Sequence, residues 1–297
     1  MLTVLLIAFF ALAVLGIEVA FALGLACVAA IYLCSDLPLT ALPHRMVNGV
    51  NSYIFIAIPL FLLAGRLMNA GGITDRIFRF ARALAGSFHG GLAQANIIAT
   101  MIFAWMSGSA VATVGGMGEV GVRSMRENGY PTPFAAALAV AASTLGPIIP
   151  PSIPLIIYGA MTEESIGALF LAGVVPGALL GLALMMRVYF LSKRSAFPRD
   201  PRIEASALRA AARSALLPLL VPVSVLGGLI AGLFTPTEAG AAAVVCSLAL
   251  CMGYYRSIKW RDLPQILVET MITTAVVTFI ISASSSFSFL LAVENAG

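Results

Sequence analysis

The chain has 297 residues, of which 60% are hydrophobic and 10% charged, with a formal net charge of +4. Its mean hydropathy is +1.01 and its isoelectric point about 9.0. A water-exposed surface needs about a quarter of its residues charged, so a soluble fold is excluded and a polytopic membrane protein remains. The basic residues lie between apolar runs, which points to loops flanking a bilayer and not to nucleic acid. The four cysteines, Cys27, Cys34, Cys246 and Cys251, fall in apolar runs without metal-ligand spacing and read as small packing residues.

The N-terminus is apolar from Leu2, with no basic flank and no small-residue cleavage site, so a retained first helix is expected. Residues 2–33 are too long for one span: as helix they would cover ~48 Å against ~30 Å of hydrocarbon. A split at Gly16-Ile17-Glu18 gives two helices. Residues 35–51, with Pro38 and Pro43, read as a polar connection. Residues 53–68 read as the next helix, kinked at Pro59 and ended by Asn69-Ala70-Gly71-Gly72. Residues 73–85 are amphipathic: Ile73, Ile77, Phe80, Ala81 and Leu84 share one face, and Arg76, Arg79 and Arg82 lie around the other. A basic arm along the membrane interface is expected.

Residues 92–106 are too few to cross comfortably. They end at Ser107-Gly108-Ser109, and a return limb follows with Gly115, Gly116, Gly118 and Gly121. This reads as a re-entrant helical hairpin with its tip at residues 107–113, closed by Asn128-Gly129-Tyr130-Pro131. Thr132 is expected to cap a helix that runs to Leu145, breaks at Gly146-Pro147-Ile148-Ile149-Pro150-Pro151 and resumes from Ser152. Thr162-Glu163-Glu164-Ser165 is a turn, residues 166–191 a span and residues 192–213 a polar basic loop. Residues 216–234 span again. Thr235-Pro236-Thr237-Glu238 reads as a capping box opening the span 239–255. Residues 256–264 are a basic connection, and residues 265–291 a last apolar run with serines at 282, 284, 285, 286 and 288.

If the hairpin enters and leaves on one face, all 17 Lys and Arg except Arg45 fall on or near that face, which is then cytoplasmic. A full crossing by residues 92–122 would set the 193–213 charges opposite Arg76, Arg79 and Arg82. Leu37-Pro38 followed by Phe61-Leu62-Leu63-Ala64 and Asn69-Ala70-Gly71 echoes Leu263-Pro264, Phe289-Leu290-Leu291-Ala292 and Asn295-Ala296-Gly297, as in an inverted repeat whose second copy is incomplete. The expected organisation is 1–72 N-terminal spans, 73–87 interfacial arm, 88–160 transport core of hairpin and broken helix, 161–213 span and basic loop, and 214–297 a truncated second repeat.

Lipid cannot satisfy free backbone groups, so two helix breaks at membrane depth suggest a binding site near the bilayer midplane. The helix ending at Ser107 aims carbonyls and its negative dipole end at the tip, which suits Na⁺, with the Ser107 and Ser109 hydroxyls as further ligands beside the Gly108 turn. Thr144 and the carbonyls of Leu145 and Gly146 would complete that shell. The helix resuming at Pro151-Ser152 offers its positive end to an anion. No hydrolytic, metalloprotease or phosphate-binding motif is present, so no enzyme activity and no cofactor beyond a coupling ion is expected.

Ser107-Gly108-Ser109-Ala110, Gly129-Tyr130, the run Thr144-Leu145-Gly146-Pro147-Ile148-Ile149-Pro150-Pro151-Ser152-Ile153-Pro154-Leu155 and Phe170-Leu171-Ala172-Gly173 resemble the large membrane subunit of TRAP (tripartite ATP-independent periplasmic) transporters. Ile58-Pro59-Leu60-Phe61, Gly71-Gly72-Ile73 and Phe234-Thr235-Pro236-Thr237-Glu238-Ala239-Gly240 are similar too. The resemblance implies an all-α, elevator-type, Na⁺-driven importer of organic acids such as dicarboxylates or sialic acids, in the bacterial inner membrane. It implies as partners a small membrane subunit and a periplasmic substrate-binding protein. The family's hairpin tip falls on residues 107–113 and its broken-helix loop on 144–152, making Ser109, Thr113, Pro151 and Ser152 candidate substrate contacts. The sequence departs from the family by lacking a second hairpin and a second proline-rich break. The alternatives are another broken-helix anion/Na⁺ symporter working without a binding protein, and a transport-incompetent membrane scaffold.

Overall fold

The computed structural model describes residues 1–35, 37–195, 197 and 205–294, and among them every regular element is a helix. Among the described residues, five helical stretches are long and apolar enough to cross a membrane: Tyr53–Ala70, Ile166–Arg194, Leu208–Ile230, Pro236–Tyr254 and Leu263–Val293. The chain divides into two compact units.

The first unit comprises Met1–Phe55 and Met271–Gly297. Helices α1 (Leu2–Val14) and α2 (Val19–Cys34) pack together, and Gly16 supplies the φ of +81° that the turn between them requires. The split at 16–18 is as expected. The stretch after it differs: residues 41–50 are not a polar connection but helix α3 (Ala41–Val50). Pro43 is its third residue, where the backbone N–H would have no intrahelical partner anyway, so it does not oppose the helix. Leu42 of α3 joins Leu5, Ala26, Cys27, Ala30, Ile31 and Leu290 in one core. The serines of α14 (Leu263–Val293) find their use here. Ser282 Oγ donates to the Met46 carbonyl at 2.9 Å and Ser286 Oγ to the Leu42 carbonyl at 3.2 Å. A serine-rich apolar helix can thus dock on another helix without an orphaned hydroxyl.

The second unit is Ile56–Thr270. A 3₁₀ turn (Tyr53–Ile56) leads into α4 (Ala57–Ala70), so the irregularity precedes Pro59, which sits at the third α-helical position. Helix α5 (Ile73–Ala85) has the expected bounds but not the expected setting. Its buried residues are Ile73, Thr74, Ile77, Phe78, Ala81 and Ala85, and it packs on α6 (Gly91–Ser107) and α12 (Ala205–Ile230). The arm is therefore covered by protein along its inner face; of the expected apolar stripe, Leu84 is exposed and Phe80 half-buried. The hairpin is present: α6, then α7 (Ala110–Thr113), a π-helical segment (Val114–Gly118) and α8 (Glu119–Glu127), the last returning along α6. At 1.5 Å per residue the 17 residues of α6 measure about 25 Å.

Helix α9 (Thr132–Ser143) takes Pro131 as its N-cap; Thr132 is already inside the helix and makes no side-chain cap, one residue off the expected register. After the break come α10 (Ile153–Thr162) and α11 (Ile166–Ser195). Of the expected loop 192–213, residues 192–195 end α11 and residues 205–213 open α12, where the alanine-rich run favours helix; residues 196 and 198–204 lie outside the described residues. Thr235 and Glu238 form the expected capping box of α13 (Pro236–Leu248), which continues as a π-helical segment (Ala249–Tyr254). The two echo segments have different structures: the first holds α3, a 3₁₀ turn and α4, whereas the second is the single helix α14, and residues 295–297 lie outside the described residues.

Candidate functional site

The two helix breaks meet. The Gly108 carbonyl, in the turn after α6, accepts the Ile153 N–H at the start of α10 at 3.2 Å. Gly108 has φ +58° and lies so close to the broken-helix loop that a Cβ there would stand 2.6 Å from the Pro151 carbonyl oxygen. A Cβ on Gly146 would stand 2.7 Å from Thr113 Oγ1 and 2.9 Å from the Ser109 carbonyl. Glycine at these two positions lets the tip of the hairpin and the loop between α9 and α10 touch backbone to backbone.

At the tip, Ser107 Oγ and Thr113 Oγ1 are 2.6 Å apart, both buried, and Thr113 Oγ1 donates to the Ser109 carbonyl at 2.7 Å. Thr113 has one hydroxyl proton and spends it on Ser109, so Ser107 is the donor to Thr113. Ser109 Oγ caps α7, accepting from the Ala112 N–H at 3.5 Å. In the other break, Ser143 Oγ donates to the Val140 carbonyl at 2.7 Å and Thr144 Oγ1 to the Ala141 carbonyl at 2.8 Å. The Ser107, Thr113, Ser143 and Thr144 protons are each directed to a named acceptor inside the protein. What the Ser107, Ser143 and Thr144 hydroxyls have left is lone pairs, and the last turn of α6, which ends at Ser107, adds helix-end carbonyls.

The start of α10 is the opposite case. Ser152 is fully buried, donates its hydroxyl to the Pro147 carbonyl at 2.5 Å and accepts from the Leu155 N–H at 3.3 Å. Ile153 N–H goes to Gly108, residue 154 is proline, and Ile156 N–H goes to the Ser152 carbonyl at 3.0 Å. The first turn of α10 keeps its dipole, but its amides and the Ser152 hydroxyl are already spent within the protein. The Leu145 carbonyl accepts from both Ile148 N–H and Ile149 N–H, at 3.1 and 2.8 Å. The Leu145 side chain turns into an apolar cluster with Ala104 and Ile149. Ser107, Gly108, Ser109, Thr113, Gly146, Pro151 and Ser152 are thus gathered at one locus, while the Thr144 side chain is exposed beside it.

The back of this locus is closed. Behind Met106 and Pro151, α4, α12 and α13 leave a gap of only about 10 Å³, about what a single water needs. Gly65 of α4 brings that helix against the end of α6, where a Cβ would meet the Met106 carbonyl at 2.9 Å. A groove of about 550 Å³ runs between the return limb and α9, lined by Val114, Gly115, Gly118, Glu119, Ala136 and Val140. Farther along it, Glu127 accepts from Arg123 at 3.0 Å, and this contact pushes the Arg123 guanidinium pKa above its ordinary value.

Sequence reasoning used α11 only through the resemblance of Phe170-Leu171-Ala172-Gly173 and did not single out its glycine spacing. Its Gly173, Gly177 and Gly181 recur every fourth residue; the first two seat the broken loop and Gly181 faces α6. A Cβ on them would meet the Ile148 carbonyl at 2.6 Å, Ile149 Cγ1 at 2.5 Å and Met101 Sδ at 2.5 Å. The signal was the spacing itself, which puts the three on one helix face. Ser143, buried beside Thr144, was also missed; its neighbours at the helix end gave no hint that its side chain would be enclosed.

The sequence model of the family described as "Tripartite ATP-independent periplasmic transporter, DctM component" matches residues 6–297. The chain is 39% identical over 280 residues to the sialic acid TRAP transporter large permease protein SiaM of Vibrio cholerae, covering 94% of this chain and 66% of that protein. It is 41% identical over 273 residues to the C4-dicarboxylate TRAP transporter large permease protein DctM of Pseudomonas aeruginosa, covering 92% and 64%. The 2,3-diketo-L-gulonate TRAP transporter large permease protein YiaN of Escherichia coli is 37% identical over 281 residues, covering 95% and 66%. The chain therefore spans slightly less than two thirds of the length of these relatives. On this evidence it belongs to the DctM-component family of tripartite ATP-independent periplasmic transporters.

Proposed function

We propose that the chain is the membrane permease part of a Na⁺-coupled importer that takes a small organic acid from a periplasmic binding protein and works with a small membrane subunit. Family membership and five apolar helices make it a multi-pass inner-membrane protein. The observation that carries the transport reading is the junction of the two breaks: hydroxyls with their protons turned inward, helix-end carbonyls, and first-turn amides of α10 already spent. Such a locus is rich in lone pairs and suits a hard, singly charged cation. The acid is then better met by the first amides of α7, Ala110 and Val111, in the short helix that Ser109 caps, than by Ser152. Sialic acids, C4-dicarboxylates and diketogulonate, named for the relatives, share a carboxylate and set the substrate class.

Uptake by the protein reconstituted with its small subunit and binding protein should require Na⁺. Ser107→Ala should raise the Na⁺ concentration for half-maximal uptake at least about tenfold, the equivalent of ~1.4 kcal/mol of lost ion binding. Thr144→Ala should shift it in the same direction. Unaltered Na⁺ dependence in both variants would sink the ion site.

A further inference from the structure

We propose that the connection between α13 and α14 is a binding site for one anionic phospholipid of the surrounding bilayer. The apolar stretches Pro236–Tyr254 and Leu263–Val293 are both membrane spans by length and hydropathy, so the residues between them stand at the level of the lipid headgroups. Here the α-helix gives way to the π-helical segment Ala249–Tyr254. The wider turn leaves a groove of about 470 Å³ lined by Leu248, Met252, Gly253, Ile258, Trp260 and Leu263. No atom lies within 4 Å of where a Cβ on Gly253 would be, so the floor is open along the helix. The lining is apolar and continuous with the lipid-facing ends of both spans, and its volume falls in the range of small-ligand pockets.

The mouth of the groove is charged. Arg256, Lys259 and Arg261 are exposed, and among the described residues none of the three is in an ion pair. One acid lies in the same turn, Asp262, and its carboxylate accepts the Lys259 backbone N–H at 2.8 Å. Three cations and one carboxylate leave a net +2 over eight residues, 255–262. Arg256 adopts φ +50°, and the Ser257 N–H and hydroxyl both return to the Cys251 carbonyl, so the turn is fixed rather than loose. Trp260, 80% exposed, stands between the cations and the apolar floor, the position an indole takes at a membrane interface. A phosphate at the mouth and an acyl chain in the groove satisfy both halves at once. A zwitterionic lipid carries the same phosphate but adds an ammonium that the three cations repel, so it satisfies the charged half less well.

The test is native mass spectrometry of the full chain in detergent, titrated with phosphatidylglycerol or phosphatidylcholine. One phosphatidylglycerol should remain bound at concentrations about fivefold or more below those needed for phosphatidylcholine, the factor expected from a single basic residue near an anionic lipid. The pair Lys259→Gln and Arg261→Gln should abolish that preference; both side chains are exposed, so the fold is not at risk. Gly253→Leu should displace the lipid while keeping every charge. Equal retention of the two lipids, a preference that survives removal of the cations, or retention unaffected by Gly253→Leu would each overturn the assignment.

Discussion

Replacing Gly108 by alanine should pull the two breaks apart. The residue sits at φ +58°, which costs an L-amino acid roughly 1–2 kcal/mol. Its new methyl would stand 2.6 Å from the Pro151 carbonyl oxygen, where a carbon–oxygen contact needs about 3.3 Å. The loop must therefore yield by about 0.7 Å. The Gly108–Ile153 hydrogen bond is already 3.2 Å long. Stretched by that amount it passes the limit of a real bond, which removes a further ~1 kcal/mol. The sum is about 2–3 kcal/mol. Gly115→Ala is the matched control: it lies in the same hairpin, has an ordinary φ, and its Cβ would meet nothing within 4 Å outside its own helical turn. That change should be neutral or stabilise by up to ~1 kcal/mol. Denaturation of both variants in detergent gives the difference, and hydrogen exchange of the Ile153 amide gives the local event. Gly108→Ala should speed exchange at Ile153 while Gly115→Ala leaves it unchanged. Two variants within about 0.5 kcal/mol of each other, or an Ile153 amide equally protected in both, would refute the contact as the link between the breaks.

Ser107→Ala removes the donor to buried Thr113 Oγ1 and should destabilise by about 1–2 kcal/mol, whereas Thr113→Ser, which keeps both hydrogen bonds, should stay near wild type in the same melt. Gly177→Leu drives a side chain into Ile149 Cγ1 and should lower stability by about 1–3 kcal/mol; it should also abolish uptake by displacing the loop. Thr235→Ala breaks the α13 capping box and should cost about 1 kcal/mol in a thermal melt, with the Na⁺ dependence of uptake untouched.

Much of the fold was legible because lipid makes the backbone rules strict. The split at Gly16, the stop at Gly71-Gly72, the hairpin turn at Ser107-Gly108-Ser109 and the break at Gly146 are all positions where the chain itself carries glycine, proline or a capping hydroxyl. The bounds of α5 were readable from its amphipathic period, but its burial against α6 and α12 was not, since an apolar stripe is the same whether it meets lipid or protein. The helices at 41–50 and 205–213 were missed for opposite reasons. Pro43 looked like a breaker and sits where a proline is harmless; the basic run before Leu216 looked like a loop and is carried by alanines.

The site divides the same way. Sequence can say that a helix end leaves carbonyls without partners, because that follows from the local chain. It cannot say which donors elsewhere are already spent. Ser152 shows the consequence. From sequence it is a hydroxyl at a positive helix end and hence an anion contact. In the fold that hydroxyl goes to Pro147, and the amides of the first turn go to Gly108 and to Ser152 itself. Ser107 is the converse. Its proton is committed to Thr113, and that commitment is what turns a two-way group into a pure acceptor. A transporter that couples a cation to an anion needs both kinds of surface within reach of each other but not cancelling. On the proposed function, the Ile153–Gly108 hydrogen bond serves that need: the contact that joins the two breaks also takes an α10 donor away from the cation's side, and leaves the α7 amides to meet the carboxylate.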